Sequence, residues 1–219
     1  MNILLSSYDF HEYWAENEVK KHLYPGMKVT VIPFSFDEKE VKNKEDFDRH
    51  YGENGIHTPW IYRPFLHYGI KKEDIVFVDY FRDSHEIALK KVTDADVLFL
   101  TGGLPDQYLQ RLQEFKLVSE IKSGNYHVIG ASAGAMLQFD TFHITPDDDY
   151  PMYHYQKGLG LVSGIEIECH YCNSEIQNQG IQRVIKERHL PTYAMANDGG
   201  IIIDKGIIQV IGNCYLVNP

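Results

Sequence analysis

Tyr126-His127-Val128-Ile129-Gly130-Ala131-Ser132-Ala133-Gly134-Ala135-Met136-Leu137-Gln138-Phe139-Asp140 is the stretch that decides the fold. Tyr126 to Ile129 is aromatic and β-branched and reads as a short buried strand. Ala135 to Phe139 reads as the start of a helix. Between them, Gly130 to Gly134 matches G-x-S-x-G in the strand–turn–helix setting that this pattern needs. A strand that reverses sharply into a helix leaves its central serine on a strained turn with the hydroxyl exposed. Small neighbours let the two backbones approach. Free N–H groups at the helix start suit a developing oxyanion. The same geometry also serves a serine that only caps the helix, and the pentapeptide alone does not choose between nucleophile and cap.

On either side of this stretch the chain alternates apolar runs with helical spacings. Strands are expected over Asn2 to Ser6, Lys28 to Pro33, Asp74 to Asp79 and Ala95 to Leu100. Helices are expected over Glu12 to Leu23, Ser84 to Lys91 and Asp106 to Phe115. The charged and aromatic residues 35 to 62 are helix plus loop, the least defined region. After Ser132, Ile165 to Cys169 alternates like a half-buried strand and Glu175 to Arg188 has helical spacing. Thr192 to Ala196 is a strand ending at Asn197-Asp198-Gly199-Gly200. Two isoleucine-rich runs around Asp204-Lys205-Gly206 signal a hairpin. Strands separated by helices imply βαβ units and a parallel sheet with sites at the strand carboxyl ends. The expected fold is α/β, a three-layer sandwich with a mostly parallel central sheet that ends in antiparallel strands.

The 219 residues suit one domain, 1–219. A net charge of −10, from 31 acidic and 21 basic residues, argues against nucleic acid and anionic membranes as partners. No apolar run approaches the length of a membrane span, and the N-terminus lacks the basic start of a signal peptide. Three cysteines suit a reducing cytoplasm. Cys169 and Cys172 form C-x-x-C with no second pair, so neither a metal nor a redox cofactor is expected.

Three strand ends carry suggestive chemistry: Gly102-Gly103, Ser132 and His170. Backbone N–H groups at Gly103 and Ala133 are placed to form an oxyanion hole, and His170 is placed to act as a base. Taken singly, the glycine pair is as well an ordinary βα loop and His170 a hydrogen-bonded strand-end residue. Only their conjunction favours catalysis.

Thr101-Gly102-Gly103, Gly130 to Ala135, Gly158-Leu159-Gly160-Leu161 and His170 together resemble the aspartyl dipeptidase (peptidase E) and cyanophycinase family of serine peptidases. The likeness runs from Asn2 through Cys214, with 43 to 70 as an insertion-like stretch. It implies a fold similar to class I glutamine amidotransferases, with serine where those hold cysteine. It also implies acyl transfer through Ser132, with His170 as base and an acid on a strand end after the histidine. That position is matched by Asp198, an aspartate where the family has glutamate. The family's substrates imply short peptides, dipeptides carrying an acidic residue, and hence a cation near the site. Arg183 on the helix after His170 is the candidate, and it reads equally as a solvated helix-face arginine. No cofactor is implied, and a homodimer is left open. Two other readings stay open. An α/β-hydrolase esterase would take its acid from Asp147, Asp148 or Asp149, before the histidine. A non-catalytic ligand-binding protein could use the same scaffold.

Overall fold

The computed structural model describes residues 1–217 of the 219. Five strands run parallel in its central sheet: β1 (Asn2–Leu5), β2 (Val29–Ile32), β3 (Ile75–Phe77), β4 (Val97–Leu100) and β5 (His127–Ala131), side by side in the order β3-β2-β4-β5-β1. β2 and β4 are buried at every position, as unbroken apolar strands covered on both faces should be. A helical layer lies on each face. One holds α1 (Glu16–Val19), α2 (Lys44–Tyr51) and α3 (Thr58–His67), and the other α4 (His85–Thr93), α5 (Tyr108–Glu114) and α6 (Val118–Ser123). Strand alternation sorts the core between them. Val29, Val31 and Phe99 pack with Phe47, Ile61 and Phe65, whereas Ile32, Leu98 and Val128 pack with Val92, Leu112 and Ile121.

The insertion-like stretch 43 to 70 therefore supplies one face of the core. Phe65 is fully buried, edge-on to Phe10 and Phe99. Truncating such a ring costs about 3–5 kcal/mol. The expected helix Glu12 to Leu23 shortens to the single turn of α1, and Tyr13 stands 82% exposed.

The rest of the chain makes α7 (Ala133–Met136), the antiparallel pair β6 (Thr141–Ile144) and β7 (His154–Lys157), β8 (Glu166–Glu168), α8 (Glu175–Arg188), β9 (Thr192–Asp204) and β10 (Ile207–Val217). β9 is one long strand where the sequence suggested a break at Asn197. Its first part pairs in parallel with β8, its second part antiparallel with β1, and β10 lines its other edge. Glu168 pairs with Ala194 and Leu5 with Gly200, so β8 and β1 point their carboxyl ends at the same few residues of β9. The carboxyl ends of β4 and β5 lie alongside, with Leu100 opposite Gly130 and Leu5 opposite Ala131. Gly102-Gly103, Ser132, His170 and residues 196–198 are thereby gathered at one rim of the sheet.

Candidate active site

Ser132 follows β5 with φ 49° and ψ −114°, a left-handed conformation that costs a non-glycine residue energy and that surrounding contacts must hold. Its N–H donates to Leu5 O at 2.8 Å. Gly134 packs so closely under β4 that a Cβ there would lie 2.0 Å from Leu100 O, so the small residue is obligatory. α7 is a single turn, so the N–H groups at its start matter more than any helix dipole. The Ser132 side chain makes no capping hydrogen bond. Its Oγ lies instead 2.9 Å from His170 Nε2. Of the two sequence readings, cap and nucleophile, the geometry fits the nucleophile.

His170, with φ 53°, follows β8 in a second left-handed conformation. Ser6 holds it there. The His170 N–H donates to Ser6 Oγ at 3.2 Å, and that hydroxyl donates to Met195 O at 2.9 Å. Gln177 Nε2 donates to His170 O at 3.1 Å. The other ring nitrogen, Nδ1, lies 2.7 Å from Asn197 Oδ1. An amide oxygen only accepts, so Nδ1 carries the proton and Nε2 keeps a lone pair for the Ser132 hydroxyl.

The residue bonded to His170 Nδ1 is thus Asn197, not the expected Asp198, whose carboxylate lies elsewhere. The cause is a bulge. Gly212 pairs with Gly199 but Cys214 pairs with Met195, which leaves Ala196, Asn197 and Asp198 opposite Asn213 alone. Bulges re-aim side chains. This one turns Asn197 to the histidine, while the Asp198 carboxylate accepts from Asn213 Nδ2 at 2.5 Å. Ser7 Oγ fixes the bulge by donating to Asn197 O at 2.8 Å. The rival loop does not reach the histidine either: both ring nitrogens of His170 are bonded, to Asn197 and Ser132, while Asp147 Oδ1 accepts the backbone N–H groups of Asp149 and Tyr150.

Arg183 also departs from expectation. It stands exposed on α8, with Nε 2.7 Å from Glu187 Oε1 and its guanidinium over the Tyr153 ring. An (i, i+4) partner on its own helix satisfies the charge. It does not line the cavity at Ser132.

The N–H groups of Gly103 and Ala133 have no acceptor among the described residues, as oxyanion donors awaiting a ligand should not. Gly103 takes φ 141°, and a Cβ there would sit 2.4 Å from Ser35 O. Sequence reasoning missed what holds this loop. Gly102 N–H donates to the Tyr8 hydroxyl at 2.8 Å, and Ser35 Oγ donates to Gly102 O at 2.7 Å. Burial pushes the Tyr8 hydroxyl far above its ordinary range, so it stays a neutral partner.

Beside Ser132 lies a cavity of about 120 Å³, lined among others by Gly103, Met136, His143, Thr145, Glu168 and His170. His143 is buried there. Burial opposes its charge, but Glu168, 2.7 Å from Nε2, and the charge of Glu166, 3.9 Å from Nδ1, outweigh this and raise its pKa to about 9. Burial also pushes the Cys169 thiol up, away from nucleophilic thiolate. A larger depression of about 420 Å³, bordered by Lys28, Val76 and Ile87, lies at the amino ends of β2 and β3, away from this rim.

The profile of Peptidase family S51 matches residues 65–211. Among solved structures, a protein from Listeria monocytogenes EGD-e named for peptidase E aligns with a TM-score of 0.66 at 20% identity, over 95% of this chain and 96% of that one. A peptidase from an acI-B1 Actinobacterium aligns with a TM-score of 0.58 at 16% identity, over 99% and 93%. At such identities the two structures speak for the fold. No curated protein matches the chain.

Proposed function

The chain belongs to peptidase family S51 and is a serine-type peptidase, and on that premise we propose that it cleaves short peptides through an acyl-enzyme at Ser132. The observation that carries this reading is the continuous relay from Ser132 Oγ through His170 to Asn197 on a strained elbow. Ser132 Oγ attacks the scissile carbonyl while His170 Nε2 takes its proton and then passes it to the leaving amine. Asn197 holds the imidazole in the tautomer this needs. The N–H groups of Gly103 and Ala133 receive the oxyanion. Water then resolves the ester by the same steps in reverse roles.

The small cavity favours short peptides over folded chains. A preference for an acidic side chain, implied by the family resemblance, gains no support from the lining: it contains no Lys or Arg among the described residues. The esterase reading is weakened because the orienting residue follows the histidine in the chain, opposite to the α/β-hydrolase order. No helix among the described residues is long and apolar enough to cross a membrane. The free state of Cys169, Cys172 and Cys214 fits a reducing cytoplasm.

A dipeptide and tripeptide library, run beside simple esters on the wild type and Ser132→Ala, tests the reading. We expect Ser132-dependent peptide hydrolysis and labelling of Ser132 by a fluorophosphonate. Ester turnover without peptide turnover would favour the esterase. An unlabelled serine in a protein that still binds peptides would favour a binding role.

A further inference from the structure

The peptide unit between Gly102 and Gly103 has little orientation of its own. Glycine stands on both sides, so no Cβ opposes its rotation. In a trans peptide the carbonyl and the following N–H point in opposite directions. A flip would therefore replace the Gly103 N–H near Ser132 with the Gly102 carbonyl, a dipole of the wrong sign for an oxyanion.

Ser35, buried just after β2, grips the chain on either side of Gly103. Its Oγ donates to Gly102 O at 2.7 Å, and its carbonyl accepts Leu104 N–H at 2.7 Å. A hydroxyl has one proton, so Thr101 Oγ1, 2.8 Å away, is the donor toward Ser35 Oγ. The Tyr8 hydroxyl reaches Gly102 O only at 3.4 Å. Of three successive N–H groups, those of Gly102 and Leu104 have protein acceptors and that of Gly103 has none among the described residues. Ser35 borders a cleft of about 270 Å³ that shares Gly103 and Leu104 with the cavity at Ser132 but does not include Ser132. Drawing Gly102 O to Ser35 thus sends Gly103 N–H the other way.

The bracket is itself anchored. The buried guanidinium of Arg111 donates to Phe34 O at 2.6 Å and to Phe36 O at 2.8 Å, the carbonyls flanking Ser35, and lies over the Phe36 ring. Residues 34–36 cannot follow the loop if it turns.

We propose that Ser35 is a positioning residue for acyl transfer: its hydroxyl locks the Gly102–Gly103 peptide with Gly103 N–H toward Ser132. Without that hydroxyl the peptide also populates the flipped orientation, which cannot hold an oxyanion. The proposal rests on the acyl-enzyme reading above and adds a residue that acts through the loop.

The experiment compares wild type with Ser35→Ala, Ser35→Cys and Ser35→Thr on the best-cleaved library peptide, and measures binding of that peptide's aldehyde and alcohol. Ser132 Oγ adds to the aldehyde carbon, its proton passes to His170, and the former carbonyl oxygen takes the electron pair and enters the oxyanion hole. The alcohol cannot react in this way. Ser35→Ala should lower kcat about tenfold to hundredfold, less than outright loss of a donor because the unflipped peptide stays partly populated. KM and alcohol affinity should stay within about twofold of wild type, while aldehyde affinity falls in step with kcat. Ser35→Thr keeps the hydroxyl and should restore most of kcat. Ser35→Cys fills the site but donates weakly, so it should fall between, and it gives the reading even if Ser35→Ala packs poorly. An unchanged kcat in Ser35→Ala, equal losses on aldehyde and alcohol, or Thr and Cys variants both as slow as Ser35→Ala would overturn the positioning role while Ser132-dependent hydrolysis kept the peptidase reading. No Ser132-dependent hydrolysis by the wild type would overturn both.

Discussion

Ser132 and Asn197 hold opposite ends of the hydrogen-bonded relay through His170, at 2.9 and 2.7 Å, yet their backbones are fixed by different means. The elbow is local. Its strained turn follows from Gly130 to Gly134, from a strand that must reverse into α7, and from the contact of Gly134 with β4. The bulge that presents Asn197 has no such local cause. It arises because β9 has two successive neighbours, β8 and β1, and because β10 crosses both halves with a shift in register. Half of the relay is thus written in five consecutive residues, and half in the agreement of four strands.

The largest effect expected is on the elbow side. Ser132→Ala should lower kcat by about 10⁴-fold or more, since triad members act as a unit. Thermal stability should stay close to wild type, because no fold contact depends on the hydroxyl. Hydrolysis near the wild-type rate by the purified variant would remove the serine mechanism. Gly103→Ala comes next. The new methyl would meet Ser35 O and the backbone would resist φ 141°, so the loop should shift and its N–H leave the oxyanion position. Loss of one such donor costs about 10²–10³-fold in kcat. An unchanged kcat would place the oxyanion elsewhere.

What the sequence made legible follows the same division. The parallel strands were visible as apolar runs, and the elbow as a short motif whose sterics are self-contained. Gly103 and His170 were found as strand-end residues. The choice between Asn197 and Asp198 was not legible, because neighbouring residues on a strand exchange faces with a one-residue change of register. That register depends on Gly212 and Asn213, far along the chain. Arg183 was misplaced for a related reason: its helix was visible, but the Glu187 that holds it outward competes invisibly with a substrate. The serines at 6, 7 and 35 and Tyr8 gave no signal, since each acts through a backbone group brought near only by folding.

Asn197→Ala tests the bulge side directly. The imidazole would lose its Nδ1 partner and with it the preferred tautomer. The loss should be about 10–10²-fold in kcat, less than the roughly 10⁴ tied to an ionised orienting carboxylate, because a neutral amide lends no charge to the imidazolium. A variant as active as wild type would leave His170 oriented by something else.

The two sides should also respond differently to alkali. The buried His143–Glu168 pair braces β8, which leads into His170, whereas the elbow after β5 is held by the backbone bond of Ser132 N–H to Leu5 O and by the packing of Gly134 on β4. The His143 pKa is raised from 6.5 to about 9 in the folded protein. Its contribution to stability is therefore complete below about pH 6.5 and is lost as pH rises through about 9. Between pH 7 and 10 the protein should lose up to a few kcal/mol of stability. Hydrogen exchange should quicken first in β6 and β8, not in β5. His143→Gln should flatten this pH dependence. Equal loss in all three strands would mean that the pair does not brace the histidine side in particular.

The smallest effect expected is the one that separates the neighbouring residues of the bulge. Asp198→Asn keeps the size of the side chain and removes its charge. The carboxylate accepts from Asn213 Nδ2, a contact at the protein surface, and such exposed polar pairs contribute about 0–1 kcal/mol. An asparagine can still accept that bond through its oxygen. His170 should notice nothing, because its Nδ1 is occupied by Asn197. We therefore expect kcat and KM within about twofold of wild type and a stability change below about 1 kcal/mol. The comparison is sharpest with Asn197→Ala measured on the same peptide. Should Asp198→Asn prove the more damaging of the two, the carboxylate would have to exchange with Asn197 at the histidine during turnover. The bulge would then be a moving part, not a fixed support.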